Sequence, residues 1–488
     1  MTQLVPDLSG LEPDHPPNLA LLLAERAATH GWHDRPAFST GQTHGEVYTA
    51  AARAAGVLYE SGVRPGTRVL IVFPDSCTLI AVLLGTFHLG ALAVLASPHA
   101  TEDEHARILA DSAPWLVVCE PGLAGRFGEF VVLIDLDRAS ATIPEPVGVD
   151  PEAPAYVQYT SGTTGPPKGV VHGQFDPLMF CRAFGEALEI GPDDVLFSAS
   201  KACYPWGLGI AVFALYFGAS AVLWPEAAGV GGIALQARAH RPTLLFTDPA
   251  RYARLIDLAD PGDFSSLRAA CTAGESLPPS LAGRIEAFLG CPLLDGLGTT
   301  EAGHTFIANT PRRRRRGALG IPLDPFEVSI RVGGREARAG ERGALHVRGA
   351  CVMRAYLNLP TETGEVLGAD GWLRTGDFVH RDHDGFVYHH GRIEDLRVIG
   401  GVMVVPAELE RLIGTHPAVA EVAVVSEREA LRAFVVPAAC SVPDARLEQE
   451  LLRFAQTRPG VVSVTLMPGL PRTASGKIRR SLLSGLGT

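Results

Sequence analysis

At 488 residues, 47% hydrophobic and 19% charged, the chain holds too much apolar material for a disordered protein and too much length for one core. A formal net charge of -11 excludes the basic footprint of a nucleic-acid binder. Eight cysteines with no CxxC pair fit the reduced thiols of a cytoplasmic protein, not a disulfide framework or a zinc site.

The opening MTQLVPDLSGLEPDHPP has no basic region followed by an apolar run, so no signal peptide is expected. The apolar stretch 79–97 is punctuated: Asp75 and Ser76 start a helix, Gly90 stops it, and AVLA beyond is a buried strand, so no membrane span is expected. RVLIVFP (68–74), ALAVLAS (91–97), PWLVVCE (114–120), AVLW (221–224), PTLLFTD (242–248) and CPLLDGLG (291–298) read as buried strands. Helical runs such as SLAGRIEAFLG (280–290) lie between them, which predicts an α/β architecture with mostly parallel sheets flanked by helices. FEVSIRVGG and ERGALHVRG, with glycine turns, predict a small antiparallel or barrel-like element after it. The arginine run 312–316 reads as a solvated loop, with a docking patch for a polyanion as the functional alternative. Residues 393–488 read as a separate small α+β domain following a large domain of residues 1–392, with GRIEDLRVIGG as the joint.

One stretch is chemically dense. YTSGTTGPPKG (159–169) follows the strand-like AYVQY, and its glycines and hydroxyls can turn N–H and O–H donors toward an anion. It is not a Walker loop, because that motif needs Gly-Lys followed by Ser or Thr, and here Lys168 precedes Gly169. Lysine is otherwise scarce: of the 42 lysine and arginine residues only Lys168, Lys201 and Lys477 are lysine. A compact point charge is what arginine's planar fork cannot supply, so these three positions are candidates for function.

YTSGTTGPPKGVVH resembles the phosphate-loop signature of the adenylate-forming superfamily of acyl- and aryl-CoA ligases, adenylation domains and luciferases. TAGE (272–275), DGLGTTEAGH (295–304), WLRTGDFVHRDHDGFVYHHGR (372–392) and PRTASGK (471–477) resemble four further motifs of that superfamily, in the same order. The resemblance implies that ATP and a carboxylic acid form an acyl-adenylate and pyrophosphate, after which a thiol, usually that of coenzyme A, displaces AMP. It implies that Thr160, Ser161, Gly162, Thr163, Thr164, Gly165 and Lys168 hold the β- and γ-phosphates. Ala273, Gly274, Glu275, Asp295 and Gly296 would form the adenine side, with Thr300 at the α-phosphate and Glu301 holding Mg²⁺. Asp377 would accept the ribose hydroxyls, Arg392 would add a fork to ribose or phosphate, and Lys477 would bridge the acid and the α-phosphate.

SKACYPWGLG and DGLGTTEAGH resemble the benzoate-type aryl-CoA ligases in particular. By that match Lys201, Tyr204, Pro205, Trp206, Gly298, His304 and Thr305 would line the acid pocket, and aromatic walls suit a flat ring. Three departures stand out. Glu394 occupies the hinge position where the superfamily has aspartate. Val398 replaces a lysine near Gly400 and Gly401, the paired glycines of the expected pantetheine tunnel. The C-terminal domain is short, with only REALR between AVVSE and AFVVP and no Tyr-Lys-Pro segment before PRTASGK. These trims leave the acceptor open: coenzyme A leads, a carrier protein or an amine with nitrite as the activated acid competes, and a non-catalytic nucleotide-binding protein comes last. Oligomeric state, a homodimer included, is equally open.

Overall fold

The computed structural model describes all residues except 1–16, 129–130, 137–141, 161–165, 227–228, 276, 400–401, 428–429, 439–440, 442, 457–460, 473–477 and 484–488. Two seven-stranded sheets dominate it. In the first, Arg68–Val72 is central, with Leu92–Leu95 and Leu116–Cys119 parallel on either side. Pro154–Tyr159 extends it in parallel, and Gly169–Gly173 then returns antiparallel, with Ala355–Tyr356 at the edge. The second sheet repeats the plan. Val195–Ser198, Ser220–Val222, Leu244–Phe246, Ala269–Thr272 and Leu293–Gly298 run parallel, and Thr305–Ala308 and Ile321–Pro322 return antiparallel.

The apolar runs became strands because both faces of these sheets are covered, which removes the alternation that a half-exposed strand would need. Cys77–His88, capped by the Ser76 hydroxyl on Leu79 N, packs on the first sheet and against His44–Glu60. Pro205–Phe217 packs on the second sheet, and one core joins these helices to both sheets. Val230–His240, Pro249–Leu258 and Pro279–Leu289 cover the far face of the second sheet. Among the described residues no helix is long and apolar enough to cross a membrane, and the punctuated stretch 79–97 is the helix and strand its sequence predicts.

The expected antiparallel element is a five-stranded sheet in which Leu373–Arg381 lies between Gly343–Arg348 and Val387–Arg392. Beyond the turn Ile393–Asp395 come a small hairpin, the helix Pro406–Ile413, and a three-stranded sheet covered by Ala445–Ala455. Glu427 pairs directly with Ala430 in that sheet, so Ala430, Leu431 and Arg432 of the short REALR segment already belong to the returning strand. The arginine run is an exposed loop, as expected, and its side chains pair with neighbouring acids. Arg312 pairs with Glu189, Arg313 bonds Asp384 O, Arg314 and Arg316 reach Glu286, and Arg315 bridges Asp382 and Asp384. These contacts stitch the exposed loop to its neighbours.

Candidate active site

The loop 159–169 is the connection of an antiparallel hairpin, not a strand-to-helix turn. Its base is pinched shut: Thr160 N donates to Lys168 O (2.9 Å), and Lys168 N donates to Thr160 Oγ1 (3.1 Å). Ser161, Gly162, Thr163, Thr164 and Gly165 lie outside the described residues. The Lys168 ammonium sits 4.8 Å from the ring centre of Tyr356, a cation–π distance. The Tyr356 hydroxyl donates to Glu301 Oε1 (2.7 Å). Lysine, ring and carboxylate therefore form one chain across the mouth of the site.

Thr300 and Glu301 sit in a short turn, Thr300–Ala302, capped by the Thr299 hydroxyl on Ala302 N. Two contacts fix its backbone. Met353 N donates to Glu301 O (2.7 Å), and His172 Nε2 lies 2.8 Å from Thr300 O. The other His172 nitrogen faces Asp176 Oδ2 (3.0 Å), and Arg354 clamps Asp176 through both terminal nitrogens (3.1 and 3.2 Å). His172 and Asp176 are fully buried. A buried polar chain in which each member has a partner is rigid, and this one anchors the turn from behind.

Asp377 and Arg392 face each other in register on neighbouring strands, with Nη1 3.3 Å from Oδ1. His389 Nε2 lies 3.0 Å from the same Oδ1. Burial pushes the Asp377 carboxyl up, yet Arg392 and His389 overcome it and hold it down at about 2. Its Oδ2 is buried without a partner. An unpartnered buried carboxylate oxygen costs free energy, so it marks a position waiting for a donor. A ribose diol is such a donor.

A pocket of about 140 Å³ opens between the two halves of this arrangement. One wall is Ala273, Gly274 and Glu275, directly after the strand Ala269–Thr272; another is Gly298, Thr299 and Thr300. Tyr204, Pro205 and Trp206, at the start of the helix Pro205–Phe217, and His304 form a third side, with Thr247, Asp248 and Arg251 also lining it. Gly298 can only be glycine here, because a Cβ would lie 2.6 Å from His304 O. His304 is 1% exposed and boxed by Phe180, Phe184 and Phe213 at 5.1–5.5 Å. Burial lowers its pKa to about 3, so the ring is neutral.

Two expected lining residues stand behind the wall. Lys201 donates to Trp224 O, lies 3.7 Å from Asp75 and faces the Trp224 ring. Thr305 accepts from Trp206 Nε1 (3.1 Å) and so orients that indole. Asp295 and Gly296 lie in the middle of the strand Leu293–Gly298, where burial raises the Asp295 carboxyl to about 8 against one bond from Gly296 N. Glu394 lies in the turn Ile393–Asp395, its carbonyl held by Arg397 (2.7 Å). Gly400, Gly401 and Lys477 lie outside the described residues. The motif reading gave no role to His172, at the end of its own loop motif, and missed Tyr356 and Asp176: Tyr356 touches Glu301, His172 touches Thr300 O, and Asp176 touches His172. The buried HGQFD run just after the phosphate-type loop was the available hint for two of them.

The residues present suit a nucleotide with its cation. Asp377 offers the orphaned acceptor, Lys168 offers a cation, and Glu301 offers one hard oxygen ligand, which is how Mg²⁺ is bound when phosphates supply other ligands. Among the described residues no cluster of three or more His, Cys, Asp or Glu could hold a metal alone.

Comparison with known proteins agrees. The profile described as AMP-binding enzyme matches residues 23–357, and that described as AMP-binding enzyme C-terminal domain matches residues 408–477. A p-hydroxybenzoic acid–AMP ligase, FadD22, of Mycobacterium tuberculosis is 40% identical, over 96% of this chain and 68% of the relative. A 4-hydroxybenzoate–CoA/benzoate–CoA ligase of Rhodopseudomonas palustris is 31% identical, over 96% of this chain and 93% of the relative. The crystal structure of the anthranilate CoA ligase AuaEII in complex with anthranoyl-AMP superposes with a TM-score of 0.89 at 28% identity, over 97% of this chain and 98% of that one. The chain belongs to the AMP-binding enzyme family, close to its aryl-CoA ligases, and is an ATP-dependent, AMP-forming ligase.

Proposed function

We propose that the protein activates a single-ring aromatic carboxylic acid as its acyl-adenylate and passes the acyl group to the thiol of coenzyme A. The pocket carries this reading. Tyr204, Trp206 and the neutral His304 line the same pocket as Thr300 and the 273–275 segment. Aromatic walls of this kind suit a flat ring.

In the first step a carboxylate oxygen attacks the α-phosphorus of ATP, and the bond to the β-phosphate oxygen breaks, releasing pyrophosphate. In the second the thiol sulfur attacks the acyl carbon, the carbon–oxygen bond breaks, and AMP leaves. Phosphoryl transfer asks chiefly for positioning and charge stabilisation. We assign the β- and γ-phosphates to the 160–165 loop and Lys168, the ribose to Asp377 and Arg392, and the adenine to the 273–275 wall with Asp295 and Gly296. Glu301 would hold Mg²⁺, which neutralises phosphate charge. Thr300 would face the α-phosphate, and Lys477 would bridge acid and α-phosphate from the C-terminal domain, residues 393–488, with Glu394 at the hinge. Gly400 and Gly401 would flank the pantetheine.

A carrier-protein thiol is the competing acceptor. The direct Glu427–Ala430 pairing in place of a longer loop supports it, as does a 40%-identical relative named for the adenylate and not for a CoA thioester. Pyrophosphate exchange into ATP across a panel of benzoates tests activation, and AMP release on adding coenzyme A tests the acceptor. Exchange with benzoates followed by CoA-dependent AMP release is expected. Exchange without CoA-dependent release turns the assignment to a carrier protein. AMP formation driven by nitrite alone defeats it.

A further inference from the structure

Arg472 lies in the C-terminal domain, at the start of the segment that leads to Lys477, yet it reaches the pocket. Its Nη1 donates to Glu275 Oε1 (2.9 Å) and its Nη2 to Glu421 Oε2 (2.7 Å). Glu275 belongs to the pocket wall, and Glu421 to the strand Val419–Glu427 of the C-terminal sheet. One planar guanidinium therefore joins a carboxylate of the large domain to a carboxylate of the small one, a geometry that a lysine cannot reproduce. Nearby, Arg479 approaches Glu104 of the helix Glu102–Ser112 (3.6 Å), a second tie between the domains, while Arg480 holds Glu410 (2.9 Å) within the small one.

The bridge is not a surface ion pair. Side-chain exposure is 25% for Arg472, 18% for Glu275 and 17% for Glu421. Burial pushes the Glu275 carboxyl up, Arg472 pulls it back down, and Asp248 pushes it up again. Without Arg472 the pocket wall would keep a buried carboxyl beside another acid, and such a group takes up a proton or moves toward water.

We propose that Arg472 is a positioning residue for the first half-reaction: by tying Glu275 to Glu421 it seats the C-terminal domain against the pocket wall while the adenylate forms. This rests on the two-step reading above. Arg472 touches neither acid nor nucleotide in this assignment; it acts through Glu275 and through the placement of the segment that follows it. Acyl transfer from an adenylate already made does not need that seat.

The test uses the full chain with Arg472→Ala, Arg472→Lys, Glu275→Ala and the Arg472→Ala/Glu275→Ala double variant. Three quantities are read: pyrophosphate exchange with 4-hydroxybenzoate, consumption of synthetic 4-hydroxybenzoyl-adenylate with coenzyme A, and trypsin cleavage in the 393–405 joint. Arg472→Ala is expected to lower the exchange kcat by about 10- to 100-fold, the scale set by a misplaced reacting group, with KM for ATP held within about threefold. Adenylate consumption stays within about threefold, joint cleavage speeds up, Arg472→Lys recovers part of the exchange, and the double variant is no worse than the poorer single one. Unchanged exchange and cleavage in Arg472→Ala overturn the proposal, as do multiplying effects in the double variant or equal loss in both half-reactions. A wild-type chain with no exchange would instead fail the proposed function, and the cleavage rates would still decide whether Arg472 seats the domain.

Discussion

At the scale of single residues, the site depends on side chains that the motifs do not contain. Tyr356 is the plainest case: its hydroxyl is spent on Glu301 and its ring lies under Lys168. Tyr356→Phe removes the first contact and keeps the second. Hydrogen bonds to charged groups are worth roughly 1.5–3 kcal/mol, so exchange should slow by about tenfold or more, with a raised Mg²⁺ requirement. Tyr356→Leu should be slower still. Wild-type rates in Tyr356→Phe would reduce the tyrosine to a space-filler. His304 gives a pH signature. Its folded pKa, about 3, lies below the ordinary 6.5 because of burial. Above 6.5 the ring is neutral folded or unfolded. Between 6.5 and 3 the unfolded chain takes up a proton that the folded chain refuses, so stability falls as pH falls. The loss from this one residue is about 2 kcal/mol at pH 5. Urea unfolding of wild type and His304→Gln at pH 7 and pH 5 should show the gap between them shifting in the variant's favour by that amount. A pH-independent gap would contradict the burial argument.

At the scale of elements, the apolar runs were legible because parallel strands covered on both faces have no polar positions to hide them. Leu92–Leu95 and Leu116–Cys119 are buried at every residue, and each fell inside a predicted run. The loop after Tyr159 was legible as an anion cradle from composition, but its antiparallel setting was not, since return direction is set by pairing between strands and leaves no mark in a glycine-rich stretch. The relay Arg354–Asp176–His172–Thr300 was illegible for a related reason: bonded partners in it are up to 178 positions apart and meet only when two sheets pack. Lys201 shows the reverse. Scarcity singled it out, but burial by Asp75 and Trp224 explains a lysine there without any ligand. The helix Pro205–Phe217 carries a further prediction. Gly207 packs so tightly on the preceding turn that a Cβ would lie 2.2 Å from the Lys201 carbonyl. Gly207→Ala must move the helix start, so it should cost about 1–3 kcal/mol in thermal or urea unfolding. Because Pro205 and Trp206 move with it, KM for the acid should rise more than KM for ATP. An equal rise in both would place the damage elsewhere.

At the scale of the whole molecule, two sheets place a nucleotide-type loop, an acidic turn and an aromatic pocket around one opening, and a small domain reaches that opening through Arg472. The family resemblance anticipated this gathering, and the 159–169 loop and the 273–275 wall do follow strands of the two large sheets. What order along the chain could not supply was the contact between domains, which depends on a fork formed by Glu275 and Glu421, 146 positions apart by their numbering. The central claim is that a carboxylate oxygen of an aromatic acid becomes bonded to the α-phosphorus of ATP. Isotope transfer tests it most directly. With 4-hydroxybenzoate labelled with ¹⁸O in both carboxylate oxygens, ATP, Mg²⁺ and coenzyme A, the AMP released should carry one ¹⁸O on its phosphate, read by mass spectrometry. AMP released without the label would contradict the account.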